Sequence, residues 1–443
     1  MTASESVIPN NLDAFFMGFT ANRQFKEKPR MVKAAKDMHY FAADNGRAIL
    51  DGSAGLWCVH AGHCRQPIVD AISAAAGELD YGPTFNFGHP KVFELATRVT
   101  DLAGENFTHM FFGNSGSEAV ESALKIAIGY HQARGEGSRT RLIGRERAYH
   151  GVNFGGMSVG GLVKNREGFG PGLPGVAHLR HTHLPGQNKF TRGEVEHGVE
   201  LAEDLERLVG LHGAQTIAAV IVEPFAGSTG VLPPPIGYLK RLREICDKHG
   251  ILLIFDEVIT GFGRLGTPFA EQYFGVTPDM ITCAKGLTNA AVPMGGVIMG
   301  PHIYNAFMSG PSHVNELFHG YTYAGHPLAA AAGLATLDVY RDEGLFERVD
   351  ALTDLWADTM HALKDAPYVT DIRTIGLVAA IDLEGEAGAP GKRGFEAGCK
   401  AFEEQDTMVR IAADSIILSP PFIISENQID ELATNVRATL EAL

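Results

Sequence analysis

Uninterrupted apolar runs, rather than alternating ones, dominate this chain from about residue 60 to 300. Ile217 to Val222, Ile251 to Phe255, Met280 to Cys283 and Gly296 to Met299 each read as a strand buried on both faces. His109 to Phe112 and Arg141 to Ile143 read as shorter strands. Between the strands the period changes to that of a helix. Ser117 to Ala133 predicts one. Gly237 to His249 predicts another, with Leu239, Leu242, Ile245 and Cys246 on one face and Gly250 as its stop. Buried strands alternating with amphipathic helices imply a largely parallel sheet covered by helices, an α/β architecture.

The flanks carry a different pattern. Residues 1 to about 36 read as an irregular arm with a short amphipathic piece holding Phe15, Phe16 and Phe19. Tyr40 to Ala42 and Ala48 to Leu50 flank Asp44-Asn45-Gly46, a hairpin signature. Pro327 opens an alanine-rich helix to about Arg341. The last section, 345 to 443, has helix, strand, helix character, with Gly385 to Gly394 as a loop or edge. The expected organisation is an arm and part of a small domain in 1–58, a large domain in 59–326, and a linking helix with the rest of the small domain in 327–443. The small domain is then an α+β unit built from both chain ends.

Composition narrows the function classes. A formal charge of −15 without any basic block argues against a nucleic-acid surface. The five scattered cysteines argue against a disulfide framework and for a reducing compartment. No apolar stretch reaches membrane-spanning length, and the N-terminus lacks the form of a secretory signal, so a cytoplasmic location is expected.

Candidate chemistry sits at the strand ends. Asp256 closes one apolar run, and Lys285 lies just past another, before Gly286. Open α/β sheets bind ligands at that edge. An acid and an amine addressing one ligand from two sides is the pair pyridoxal phosphate requires: a lysine for a Schiff base and a carboxylate for the pyridine nitrogen. Asp256 could equally cap the segment after it. Glu223 ends a neighbouring strand. Gly113-Asn114-Ser115-Gly116-Ser117-Glu118 joins a strand to a helix and offers amides, hydroxyls and a helix dipole to an anion. An ordinary helix start capped by Ser115 or Ser117 has the same letters. Tyr149, in Tyr149-His150-Gly151, could stack on a ring or pack in a turn.

These pieces occur in the same order in the class III, fold type I, PLP-dependent aminotransferases, which the chain resembles over nearly its whole length. Glu223-Pro224, Asp256-Glu257-Val258 and Gly320-Tyr321-Thr322-Tyr323 belong to the likeness. Leu56-Trp57, Gly62-His63, Ala21 to Phe25 and Val409-Arg410 look like the ω-amino acid:pyruvate subgroup, the ω-transaminases. The resemblance implies pyridoxal 5′-phosphate on Lys285, with Asp256 on the pyridine nitrogen and Val258 and Tyr149 sandwiching the ring. It implies Gly116 and Ser117 on the phosphate, with Thr322 supplied by a partner subunit of a homodimer or dimer of dimers. Ser115 and His150 join the same cofactor-binding set, and Glu223 orients Asp256 and the cofactor hydroxyl region. Phe19, Trp57, Phe85, Tyr149 and Ile259 resemble substrate-pocket positions. Arg410 resembles a mobile arginine that grips an α-carboxylate, for which a guanidinium is well suited. Ala412 and Ala413 stand where several relatives have glycine. The activity implied is ping-pong transamination from an ω-amino acid or primary amine to a keto acid such as pyruvate. An aminomutase, a dialkylglycine decarboxylase and an ornithine- or GABA-type aminotransferase are alternatives on the same fold.

Two histidine clusters invite a metal reading. Cys58, His60, His63 and Cys64 lie too close in sequence to close a tetrahedron easily. His178, His181 and His183 lack a further ligand and read as loop residues near a cleft. No metal is expected.

Overall fold

The computed structural model describes residues 11–443. The first ten residues of the expected arm lie outside the described residues. A seven-stranded sheet forms the centre. Its spatial order is His109–Gly113, Gly295–Met299, Met280–Cys283, Leu252–Asp256, Ile217–Val222, Arg141–Arg145, Val176–Leu179. The five strands from Met280–Cys283 to Val176–Leu179 pair in parallel. Gly295–Met299 runs antiparallel to both its neighbours. The sheet is therefore mixed and mostly parallel, as the apolar runs predict. Every residue of Ile217–Val222, Leu252–Asp256 and Met280–Cys283 is buried, because helices cover both faces.

The helices fall where their periodicity predicts. Gly116–Ala133 follows the first strand, and Tyr238–His249 stops at Gly250, which has φ 63°. Pro327–Asp342 begins on its proline. The hairpin is present as His39–Ala42 against Ala48–Asp51.

Two four-stranded sheets lie outside the central one. In the first, Thr407–Met408 pairs in parallel with Ala48–Asp51, which joins the two ends of the chain. In the second, Val369–Thr374, Ala379–Leu383, Ser415–Leu418 and Arg410–Ala412 pair antiparallel. One apolar cluster runs from Met38 and Leu50 through Ile281 and Leu287 to Leu418 and Leu440. It ties the central sheet to the C-terminal section.

One local expectation is corrected and another is shortened by three residues. The short helix of the arm is Asn22–Glu27, not the segment bearing the aromatics. Phe19 has φ 50°, which breaks a right-handed helix, and Phe15, Phe16 and Phe19 are exposed. The Gly385–Gly394 loop is present as far as Gly391, whose φ of 81° sets the start of a helix, Lys392–Glu404. No helix among the described residues is long and apolar enough to cross a membrane.

Candidate active site

At the carboxyl edge of the central sheet, Lys285 and Asp256 line one cavity of about 140 Å³. Ser115, Gly116, Ser117, Tyr149, His150, Glu223, Val258 and Ile259 line it too. Most of the residues expected from sequence therefore converge on a single place.

The acid is held from two sides. Its Oδ2 accepts from His150 Nδ1 at 2.7 Å. Its Oδ1 accepts from the Thr282 hydroxyl at 3.0 Å and from the Val258 amide at 3.2 Å. The amide contact is a local turn bond, and no helix starts directly after Asp256 for it to cap. Glu223 does not hydrogen-bond Asp256. It accepts from the amides of Tyr149 at 3.0 Å and Gly227 at 3.3 Å. Burial, reinforced by the nearby Asp256 charge, pushes the Glu223 carboxyl up to about 7.

Lys285 opens a short 3₁₀ turn, Lys285–Thr288, immediately after the Met280–Cys283 strand and Ala284. Its φ of 49° is left-handed, a conformation that costs a side-chain-bearing residue about 1–2 kcal/mol. The amine makes no hydrogen bond or ion pair among the described residues. Burial pushes it below the ordinary lysine range, with the Arg410 charge adding to the effect and the acids Asp256 and Glu223 opposing it.

The helix start is capped and still has donors to spare. Ser115 Oγ accepts from the Glu118 amide at 3.1 Å, and the Glu118 carboxylate returns to the Asn114 amide at 2.7 Å. Among the described residues no acceptor takes the Gly116 or Ser117 amide. A Cβ on Gly116 would stand 2.8 Å from Val258, so the bare backbone lets that side chain press against the helix start. Amides left over at the positive end of a helix accept an anion. The whole set suits a phosphorylated aromatic aldehyde: donors for the phosphate, an acid for a ring nitrogen, an unpaired amine for the carbonyl.

Arg410 lies on the Arg410–Ala412 strand, partly buried, with no carboxylate partner among the described residues. Burial lowers its guanidinium. A structural salt bridge does not account for it. The next turn residue, Ala413, holds φ 51°.

Arg410 and four other expected residues stand apart from the cavity wall of the single chain. Trp57 is buried in an apolar cluster with Phe225, Val231 and Ile259, one layer behind the lining. Phe19 is 83% exposed and Phe85 54% exposed. Thr322 is exposed, and its carbonyl accepts from the Tyr81 hydroxyl at 3.0 Å. Sequence reasoning missed the wall residues Val120 and Phe225. Val120 was findable as the residue one turn beyond Gly116 on the same helix face. It also missed Thr282, a hydroxyl in an otherwise apolar strand.

The histidine clusters are engaged elsewhere. His63 Nε2 meets Asp51 Oδ2 at 2.8 Å, and the His60 nitrogens face two backbone carbonyls. His178 lies on the Val176–Leu179 strand, not in a loop, against the Gly160 carbonyl. Among the described residues no group of three His, Cys, Asp or Glu side chains could hold a metal.

Comparison with known proteins agrees with this geometry. Residues 20–440 match the family described as aminotransferase class-III. The chain is 57% identical over 432 residues to an omega-aminotransferase of Caulobacter vibrioides, covering 97% of this chain and 98% of that protein. It is 47% identical over 436 residues to a beta-alanine–pyruvate aminotransferase of Pseudomonas aeruginosa, covering 98% and 96%. The crystal structure of an amine transaminase from an uncultivated Pseudomonas species, in its PLP-bound form, superposes with a TM-score of 0.90 at 34% identity, covering 98% and 100%.

Proposed function

This chain belongs to the class-III aminotransferases, and from that premise we propose that it binds pyridoxal 5′-phosphate at Lys285 and transfers amino groups from ω-amino acids or simple primary amines to pyruvate. The identity with relatives named for ω-amino donors and for pyruvate supports this substrate class. When bound, the cofactor supplies an aldehyde that takes up the amino group and a ring that accepts the electron pair released from the substrate Cα–H bond.

The chain's own residues do the rest. Lys285 Nζ would anchor the cofactor at rest and, once freed by the donor amine, would take the proton from substrate Cα as base and deliver it as acid to the cofactor carbon that receives the amino group. Its lowered basicity fits an amine that must be uncharged to act. Asp256 keeps a proton on the ring nitrogen, with His150 and Thr282 fixing its two oxygens. The Gly116 and Ser117 amides and the Ser117 hydroxyl hold the phosphate, while Val258 and Tyr149 wall the ring. Glu223 is assigned to the ring hydroxyl region. Arg410, lacking an internal acid, grips the carboxylate of the keto acid. Phe225 and Ile259, backed by Trp57, form an apolar wall that suits an arylalkyl substituent.

We assign the chain to a homodimer in which Thr322, Phe85 and Phe19 complete the neighbouring copy's site. Tyr81, Phe85, Phe87, Phe318 and Tyr323 are exposed aromatics, and the Tyr81 hydroxyl ties this surface to the Thr322 backbone. The domain division at residues 58 and 326 belongs to the same proposal.

One observation carries the reading: an unpaired lysine amine and a doubly held aspartate line the same cavity. The test is a Lys285→Ala variant with a panel of donors. The parent should lose its yellow absorbance with β-alanine, a diamine or 1-phenylethylamine. The variant should lack the Schiff-base absorbance, and turnover retained in it would refute the mechanism.

A further inference from the structure

The turn that carries Lys285 is fastened to a second turn, the one that runs from Trp57 to His63. Asn289 makes the connection. It is 6% exposed, its Oδ1 accepts from the Ala61 amide at 2.8 Å, and its Nδ2 donates to the Gly62 carbonyl at 2.9 Å. The side chain thus imitates a strand partner, with one donor and one acceptor both matched. Asn289 itself sits at φ 50°, a conformation asparagine tolerates better than most residues.

His60 fills the space between the two turns. It is fully buried, with Nδ1 3.0 Å from the Phe262 carbonyl and Nε2 3.1 Å from the Trp57 carbonyl. A Cβ added to Gly286, the residue after Lys285, would come within 2.5 Å of His60 Nδ1, so ring and backbone touch. Phe422 lies against the ring at 4.7 Å. Burial, together with the Arg264 and Lys285 charges, holds this imidazole neutral. A neutral ring has one N–H for two carbonyls. His60 therefore satisfies one carbonyl at a time and serves mainly as a spacer, while Asn289 carries the fully matched pair of bonds.

Trp57, at the head of the second turn, packs with Phe225 and Ile259, which line the cavity. The lysine turn and the apolar wall are thereby one mechanical unit. We propose that Asn289, with His60 as spacer, is a positioning residue for amino transfer, locking the Trp57–His63 turn to the Lys285 turn so that amine and wall keep a fixed separation. The proposal rests on Lys285 being the cofactor lysine.

The test is Asn289→Gly. Glycine adopts φ 50° without strain and removes only the two side-chain bonds. The variant should still load the cofactor and show the Schiff-base band. The pH midpoint of that band should move by more than about half a unit, and kcat should fall by about tenfold with a smaller change in KM, as expected for a misplaced reacting group. In the cofactor-free protein the tryptophan emission should shift, because Trp57 is one of only two tryptophans in the chain. A purely structural role predicts a lower melting temperature alone. If midpoint, kcat and emission all match the parent, the inference is overturned. Asn289→Asp keeps the acceptor for Ala61 and sets a carboxylate oxygen against the Gly62 carbonyl. It serves where the glycine variant fails to fold, with the same expected direction and the same overturning result. A Lys285→Ala protein that kept the band would sink the reading of the site and this inference together. An unperturbed Asn289→Gly protein would sink the inference alone.

Discussion

Thr282 and Asp256 are register partners on adjacent parallel strands, and the threonine hydroxyl donates to the aspartate Oδ1 at 3.0 Å. The strand pairing itself therefore sets the direction of the carboxylate that faces the cavity. Thr282→Val keeps the shape and deletes the donor. A hydrogen bond to a charged acceptor contributes about 1.5–3 kcal/mol, and the Val258 amide remains, so the loss should sit near the lower figure. Single-turnover rates with an amine donor should fall roughly tenfold, and Thr282→Ser should restore most of the rate.

Lys285 gives a pH dependence whose sign follows from burial. Its amine is depressed in the folded chain, while an unfolded lysine titrates near 10.4. Between those values the native state binds fewer protons than the unfolded state, so cofactor-free stability rises with pH across that window. Below the depressed value the penalty of a buried cation is felt in full. Lys285→Met should remove this slope. Chemical denaturation of the cofactor-free proteins at a series of pH values is the check.

Glu223 gives the opposite slope. Its carboxyl is raised from 4.5 to about 7, so the folded chain binds the extra proton between those values. The contribution is present at low pH and is lost as pH rises through about 7. Glu223→Gln should flatten that part of the profile, whatever it does to absolute stability. The same denaturation series measures it.

Gly116→Ala places a methyl 2.8 Å from Val258 Cγ1. Either Val258 moves off the ring face or the helix start shifts. The cofactor dissociation constant should rise by about tenfold or more, as overpacking costs about 1–3 kcal/mol. The measurement is absorbance titration of the cofactor-free protein.

Arg410→Ala should separate the two half-reactions. Loss of a charge-assisted grip on carboxylate costs about 1.5–3 kcal/mol, so the keto-acid half-reaction should slow by roughly tenfold to a hundredfold. The half-reaction with 1-phenylethylamine, which has no carboxylate, should hold near its parent rate. Equal loss in both would count against the assignment.

The central sheet was legible because strands such as Ile217–Val222 and Leu252–Asp256 are apolar on both faces and need no alternation to be recognised. Once strand ends were placed, Asp256 and Lys285 followed, since the edge of such a sheet is where side chains meet a ligand. Thr282 and Asn289 were not legible. A threonine in a buried strand and an asparagine in a turn have the same letters whether they hold a functional group or only the fold. The arm misled because its aromatics imitate an apolar helix face, whereas Phe19 adopts a backbone no helix accepts. Phe19, Phe85 and Thr322 were named through resemblance to relatives, and one chain does not gather them at its cavity.

The cavity wall is drawn from five separate segments, around Ser115, Tyr149, Glu223, Asp256 and Lys285. No shorter stretch of the chain can house the coenzyme, and every contact between these segments closes a long loop. Such closures come late and slowly in folding. During renaturation from denaturant the yellow colour should therefore return with the last phase, after helical signal has recovered, which makes the coenzyme a stopwatch for completion rather than a nucleus.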